Sequence, residues 1–220
     1  MTGERKITGI YGILPADIRL EDLLEKAEAA LKGGVQTLQL RDKKQGFKKG
    51  LKRAVLLREL TKKHGARLIV NDSLPLAVES AADGVHFGRE DMQSLVQMRS
   101  QLATDMIIGI SCKGDGALAR HVLQDGADYV SFGAVFPTRS KLDAAPIGLP
   151  RLAKARQMFA DANICAIGGI TLESLPAVKK AGADCAAVIS SLFNPSLFDA
   201  QNIEIQAQNM VETWNNAASA

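Results

Sequence analysis

The sequence predicts an α/β protein folded as a single (β/α)8 barrel, on three observations. Eight short runs rich in Ile, Val and Leu are each followed by a helix-like stretch, and strict strand–helix alternation builds a parallel sheet that eight units can close. The strand-like runs are nearly continuous in apolar residues, as expected of strands covered on both faces. They tend to end in a polar or charged residue, and in such barrels chemistry sits where the strands end. A flavodoxin-like open sheet would need fewer strands.

In chain order, the first strand is read over Ile7–Leu14. The helix after it, Leu20–Lys32, carries Leu23, Leu24, Ala27, Ala30 and Leu31 at helical spacing and stops at Gly33–Gly34. Val35–Arg41 is the second strand. The Lys-rich helix Phe47–His64 follows and closes at Gly65, its charges read as a solvated face rather than a nucleic-acid patch. Arg67–Asp72 leads into a short helix, Ser73–Ala82, with Pro75 in the first turn, where proline is tolerated. Gly84–Phe87 precedes Asp91–Leu102, and Met106–Ser111 precedes Gly116–Gln124. Tyr129–Gly133 precedes Pro150–Phe159, Asn163–Gly168 precedes Leu172–Ala181, and Asp184–Ser190 precedes Ser196–Asn216. These units leave no room for a linker, so residues 1–220 are read as one barrel domain.

Composition agrees. At 220 residues, 46% hydrophobic and 23% charged, the chain is an ordinary globular protein with a sizeable core. No apolar run approaches the ~20 residues of a membrane span, and the polar start Thr2–Lys6 is not a signal peptide. A net charge of +3 is too small to imply nucleic acid. Cys112, Cys165 and Cys185 lack metal-ligand spacing and suit free thiols in a reducing cytoplasm. The oligomeric state is not readable, although a homo-oligomer is compatible with the sequence.

Four clusters at strand ends carry the chemistry. After the second strand, period-two spacing places Gln39, Arg41 and Lys43 on one side if the strand runs that far. Cations in a barrel mouth are costly to desolvate unless an anion meets them; the competing reading is a surface loop in which Arg41 pairs with Asp42. After the third strand come Asn71 and Asp72, with Asp91 beyond the fourth. Neighbouring strands lie ~4.8 Å apart, so the two carboxylates can reach one cation, and such a pair suits Mg2+. Each could instead cap a helix. His86 reads as a hydrogen-bonded core residue.

After the sixth strand, Phe136–Asp143 forms a polar loop, long for its kind, that can close over a ligand, with Lys141 as a point charge and Thr138 and Ser140 as hydroxyl donors. Gly168 and Gly169 after the seventh strand, with Ser190 and Ser191 after the eighth, fit the phosphate cradle that barrels commonly build from these loops. The plainer reading is a tight turn before Thr171, which can cap its helix.

These stretches together resemble the thiamine-phosphate synthase family. The resemblance runs from the Tyr11 strand to about Phe193. It is carried by Thr37–Lys43 (TLQLRDK), Val70–Asp72 (VND), Asp83–Met92 (DGVHFGREDM), Gly126–Val130 (GADYV), Val135–Lys141 (VFPTRSK) and Ala166–Thr171 (AIGGIT). It implies a transferase that joins hydroxymethylpyrimidine diphosphate to a thiazole phosphate, releasing diphosphate. It implies that Arg41, Lys43, Asn71 and Lys141 hold the diphosphate, with Asp72 and Asp91 on Mg2+. Gln39 and Ser111 would place the pyrimidine, while Thr138, Ser140, Gly168, Gly169, Ser190 and Ser191 would hold the thiazole phosphate.

The chain departs from the family pattern in four places. Arg89 stands where glutamine is usual, able to pair with Glu90, and Ser140 replaces threonine. Cys112–Asp115 follows Ser111 where the family often carries a histidine or threonine, and the Tyr11–Pro15 stretch differs from the usual first strand. Three other readings compete: a thiazole tautomerase, a non-catalytic binder of thiamine or thiazole phosphate, and a sugar-phosphate isomerase or epimerase. The charged set Arg41, Lys43, Asp72, Asp91 and Lys141 favours the synthase. Surrounding cations would make Asp72 and Asp91 poor acids for the isomerase chemistry.

Overall fold

A computed structural model describes residues 5–42, 45–89, 94–102, 105–138, 145–194 and 199–219. Its strands are β1 (Gly9–Ile13), β2 (Thr37–Leu40), β3 (Arg67–Asn71), β4 (Gly84–Phe87), β5 (Ile107–Lys113), β6 (Tyr129–Gly133), β7 (Asn163–Ile167) and β8 (Cys185–Val188). They pair in parallel in chain order, and β8 closes on β1. The helices are α1 (Leu20–Lys32), α2 (Phe47–Lys63), α3 (Leu74–Glu79), α4 (Leu95–Gln101), α5 (Gly116–Gln124), α6 (Gly148–Met158), α7 (Leu175–Lys180) and α8 (Ala200–Asn216), each following its strand. The expected (β/α)8 barrel is the barrel found.

Differences from expectation lie at element ends and have local causes. α8 starts at Ala200, where the Asp199 carboxylate accepts from the Asn202 N–H at 2.7 Å. α4 starts at Leu95 behind its cap Ser94, and α6 starts at Gly148, ahead of Pro150. The helix expected over Leu172–Ala181 is a 3-10 turn, Leu172–Ser174, and then α7. Pro176 has no N–H to give the Leu172 carbonyl, so one continuous α-helix is disfavoured. β8 stops short of Ser190 because the Leu192 and Phe193 amides both fold back onto the Ile189 carbonyl. β5 runs on to Lys113 through a register shift between Ser111 and Lys113. The lysines of α2 (Lys48, Lys49, Lys52, Lys62 and Lys63) are exposed, a solvated face as expected.

Two apolar zones result. One lies between the strands and the helices; the other fills the barrel, where Tyr11, Ile13, Ile69, Ile107, Tyr129, Cys165 and Cys185 are buried together. Alternation along each strand fixes which residues point inward. With the stagger of such barrels, inward residues from alternate strands share a level. The strand pairings put Gln39, His86, Ser131 and Ala187 at one level, and Ile13, Asn71, Ser111 and Ile167 at the next one up.

The base is held by a recurring clamp. Asp83, Asp128 and Asp184 stand immediately before β4, β6 and β8. Each accepts from a neighbouring strand's amide, that of Leu68, Ile108 or Ile164, at 2.7 Å. An arginine from α2, α4 or α6 pairs with the same carboxylate: Arg58 with Asp83, Arg99 with Asp128, Arg156 with Asp184. Each arginine Nε also donates to the carbonyl of Ala81, Gly126 or Gly182, two residues before its aspartate. Among the described residues no helix is long and apolar enough to cross a membrane.

Candidate active site

The mouth begins with a buried polar chain across the barrel. Gln39 Nε2 donates to the Tyr11 hydroxyl at 2.7 Å, Tyr11 and Tyr129 hydroxyls meet at 3.2 Å, and Tyr129 Oη lies 2.9 Å from His86 Nδ1. The His86 and Tyr129 rings stack, with centroids 5.5 Å apart. Gly109 makes this possible, since a Cβ there would stand 2.0 Å from the Tyr129 ring. Burial pushes both tyrosine pKa values up, so both phenols stay protonated.

The amide nitrogen of Gln39 can only donate, so the Tyr11 hydroxyl accepts there; either hydroxyl can donate across the Tyr11–Tyr129 contact, and the sense of the Tyr129–His86 bond follows the imidazole tautomer. Gln39 keeps Oε1 as its remaining acceptor. His86 is hydrogen-bonded, as its lone position on a strand suggested.

Above this chain lie the residues picked from the sequence. Asn71 and Ser111 face inward one level above Gln39. One more step of alternation past β2 puts Arg41 on the same side, half-buried. The expected alternative, Arg41 pairing with Asp42, is not what forms: Asp42 pairs with Arg53 of α2 at 3.1 Å. Among the described residues Arg41 makes no ion pair.

Asp72 is also not a helix cap. Ser73 caps α3 by accepting from the Leu76 N–H. Asp72 sits at φ +61°, its N–H donating to the His86 carbonyl at 2.8 Å, a turn that takes it off the strand path. Its Oδ1 accepts from the Gly88 N–H at 3.2 Å and its Oδ2 from Asn71 Nδ2. Asp72 is thereby fixed beside Asn71 at the mouth. Arg89 pairs with Asp115 at 3.2 Å, tying the loop after β4 to the loop after β5; Glu90 lies outside the described residues.

On the other side, Gly168 and Gly169 have φ of +98° and +65°. A Cβ on Gly168 would lie 2.5 Å from Ala134 Cβ, and one on Gly169 would lie 2.4 Å from the Pro137 carbonyl oxygen. These glycines let the loop after β7 press against the start of the loop after β6, an approach beyond the tight turn of the plainer reading. The Phe136 N–H donates to the Gly168 carbonyl at 3.0 Å. The far end of that loop returns to its start, with Ile147 N–H on the Ala134 carbonyl at 2.8 Å and Gly148 N–H on Val135 at 3.1 Å. Thr138 is half-buried on this loop, Ser191 half-buried and Ser190 exposed after β8, and Thr171 takes the cap position of the 3-10 turn. Lys43, Asp91, Ser140 and Lys141 lie outside the described residues.

The model of a family described as thiamine monophosphate synthase matches residues 10–192. The chain belongs to this family. The thiamine-phosphate synthase of Thioalkalivibrio sulfidiphilus is 44% identical over 195 residues, 87% of this chain and 90% of that one. That of Chromobacterium violaceum is 42% identical over 189 residues, covering 86% and 90%. Among solved structures, a thiamine phosphate pyrophosphorylase from Pyrococcus furiosus superposes with a TM-score of 0.80 at 31% identity, covering 97% of both chains. The thiamine monophosphate synthase match begins at Ile10, inside β1, and ends at Leu192, just past β8, so it takes in nearly the whole barrel.

Sequence reading passed over Tyr11, Tyr129 and Ser131. Their signal was their place in the alternation, which aims all three inward with Gln39 and His86.

Proposed function

We propose that this chain is a thiamine-phosphate synthase, a transferase that couples hydroxymethylpyrimidine diphosphate to hydroxyethylthiazole phosphate, releasing diphosphate and giving thiamine phosphate. The whole chain works as one barrel, in the cytoplasm, on small-molecule substrates. The observation that carries the reading is Arg41. It stands in the mouth above Gln39 and beside Asn71, while Asp42, the nearest carboxylate in sequence, is drawn away to Arg53. A half-buried cation in this position is matched by an anion.

Arg41 and Asn71, with Lys43 and Lys141, hold the diphosphate and stabilise the charge that grows on it as the bond to the pyrimidine methylene breaks. Gln39 and Ser111 hold the pyrimidine over the tyrosine chain. Thr138, Ser140, Gly168, Gly169, Ser190 and Ser191 hold the thiazole phosphate, so that the thiazole nitrogen captures the pyrimidine cation before water does. No protein nucleophile takes part.

Asp72 fits a magnesium ligand by its chemistry: a hard oxygen donor, released from capping by Ser73 and oriented by Gly88 and Asn71. Asp91 is the second ligand in this reading. Bound Mg2+ would neutralise charge on the diphosphate oxygens.

The test is diphosphate release with both substrates, with and without Mg2+, and with the thiazole phosphate omitted. Diphosphate appearing with thiamine phosphate, only when Mg2+ is present, supports the reading. Tight binding of thiazole phosphate without diphosphate release overturns it in favour of a tautomerase or a non-catalytic binder.

A further inference from the structure

We propose that Ser131 is a substrate-binding residue whose hydroxyl donates a hydrogen bond to a ring nitrogen of the pyrimidine. The inference rests on the reading of the mouth as the pyrimidine diphosphate site. Ser131 is 2% exposed, and among the described residues its Oγ has no hydrogen-bond partner. A buried hydroxyl left unpaired is costly, and native interiors rarely keep one.

Its aim follows from β6. Tyr129 and Ser131 are two residues apart and so share the inward face, and the Tyr129 hydroxyl is inside the barrel, against Tyr11 and His86. In register Ser131 lies between Ser111 of β5 and Cys165 of β7. Its level is that of Gln39, His86 and Ala187, the last polar level beneath the mouth.

That level has a chemical preference. None of its four residues carries a fixed charge; Arg41 lies above it. Phosphate groups therefore belong at the rim and an uncharged ring at the floor. Gln39 has committed an N–H to Tyr11, which leaves its carbonyl as an acceptor, and the His86 ring is engaged with Tyr129. The Ser131 hydroxyl adds a donor. A pyrimidine presents two in-plane ring nitrogens, both acceptors, and one of them is the partner that Ser131 lacks in the protein.

The experiment is equilibrium binding of each substrate separately to the purified full-length protein, wild type against Ser131→Ala and Ser131→Cys, with thermal midpoints measured alongside. Both variants are expected to bind the pyrimidine diphosphate about three- to tenfold more weakly, the range for one lost uncharged hydrogen bond. Thiazole phosphate affinity is expected to stay constant. The midpoint of Ser131→Ala is expected to hold or rise, because an unpaired hydroxyl leaves the interior. A pyridine analogue with that ring nitrogen replaced by CH should bind wild type and Ser131→Ala equally.

Unchanged pyrimidine affinity in both variants overturns the proposal. So does a lowered midpoint with both substrates weakened alike, which marks a packing role. If wild type itself releases no diphosphate from the two substrates, the reading of the site fails first. If wild type turns over and the variants bind normally, only the assignment of Ser131 falls.

Discussion

Arg53, one and a half turns into α2, reaches back to Asp42 at the end of β2 and pairs with it at 3.1 Å, both side chains at least nine-tenths buried. The pair is an internal tie, and it also keeps a carboxylate away from Arg41. Removing one member of a buried pair leaves an uncompensated charge, at a cost of about 3–5 kcal/mol. Arg53→Leu should therefore lower stability by that order in urea unfolding. Where it still folds, it should weaken pyrimidine diphosphate binding as Asp42 turns to its sequence neighbour. Unaltered affinity would show that Asp42 never competes for Arg41.

Asp72 and Ser73 are adjacent and should behave oppositely. Ser73→Ala removes the cap of α3 and is expected to cost about 1 kcal/mol of stability with turnover near wild type. Asp72→Asn should keep the fold and lose most Mg2+-dependent turnover. Parallel melting curves and diphosphate-release rates decide it, and a large stability loss in Asp72→Asn would make that residue structural.

Gly109 sits under the Tyr129 ring, where a Cβ would come within 2.0 Å. Gly109→Ala must displace the ring from His86. Overpacking of this kind costs about 1–3 kcal/mol, and the broken chain should free Gln39 and His86 from the tyrosine pair that orients them. The expected readout is a raised KM for the pyrimidine substrate together with a lower denaturation midpoint.

Cys112, Cys165 and Cys185 are free and buried. Burial, with Asp115 nearby, pushes the Cys112 thiol up to about 12, and burial raises Cys185 as well. At pH 8 the Cys112 and Cys185 thiols stay protonated, and the thiolate is the reactive form. The native protein should resist alkylation on the timescale in which the unfolded chain reacts fully. Rapid modification of Cys112 alone would show that the loop after β5 opens.

Much of the molecule was legible because its signals are local. Strand alternation puts Gln39 and Arg41 on one side from the sequence itself, and β4, β6, α1 and α5 keep their predicted bounds. What joins distant parts was not legible. The Tyr11–Tyr129 contact spans 118 residues, and no spacing rule pairs two strands' side chains across a barrel. Asp42 looked like a partner for Arg41 because they are adjacent; the choice of Arg53 depends on the phase of α2 against β2. Element ends moved where a single cap or proline acts, as at Ser94, Asp199 and Pro176. Asp83, Asp128 and Asp184 were visible before three even strands, with Gln36 at the same place before β2. Their arginine partners sit on helices whose facing only the closed barrel sets.

The three clamps at the base carry a consequence for how the chain assembles. Each links a helix to the strand after next, over 25 to 29 residues, as in Arg58 to Asp83 and Arg99 to Asp128. Such short loops close at little entropic cost. The ring itself is sealed by β1 against β8 and by Asn163, which exchanges two hydrogen bonds with Ile7 across 156 residues. Local units of two strands are thus expected to gain protection first and the seam last. Pulsed hydrogen exchange during refolding would then show amides at Leu68, Ile108 and Ile164 slowing before that of Ile7. The chain would mature in kinetic order from paired segments to a closed ring, with the catalytic rim completed only at the final step.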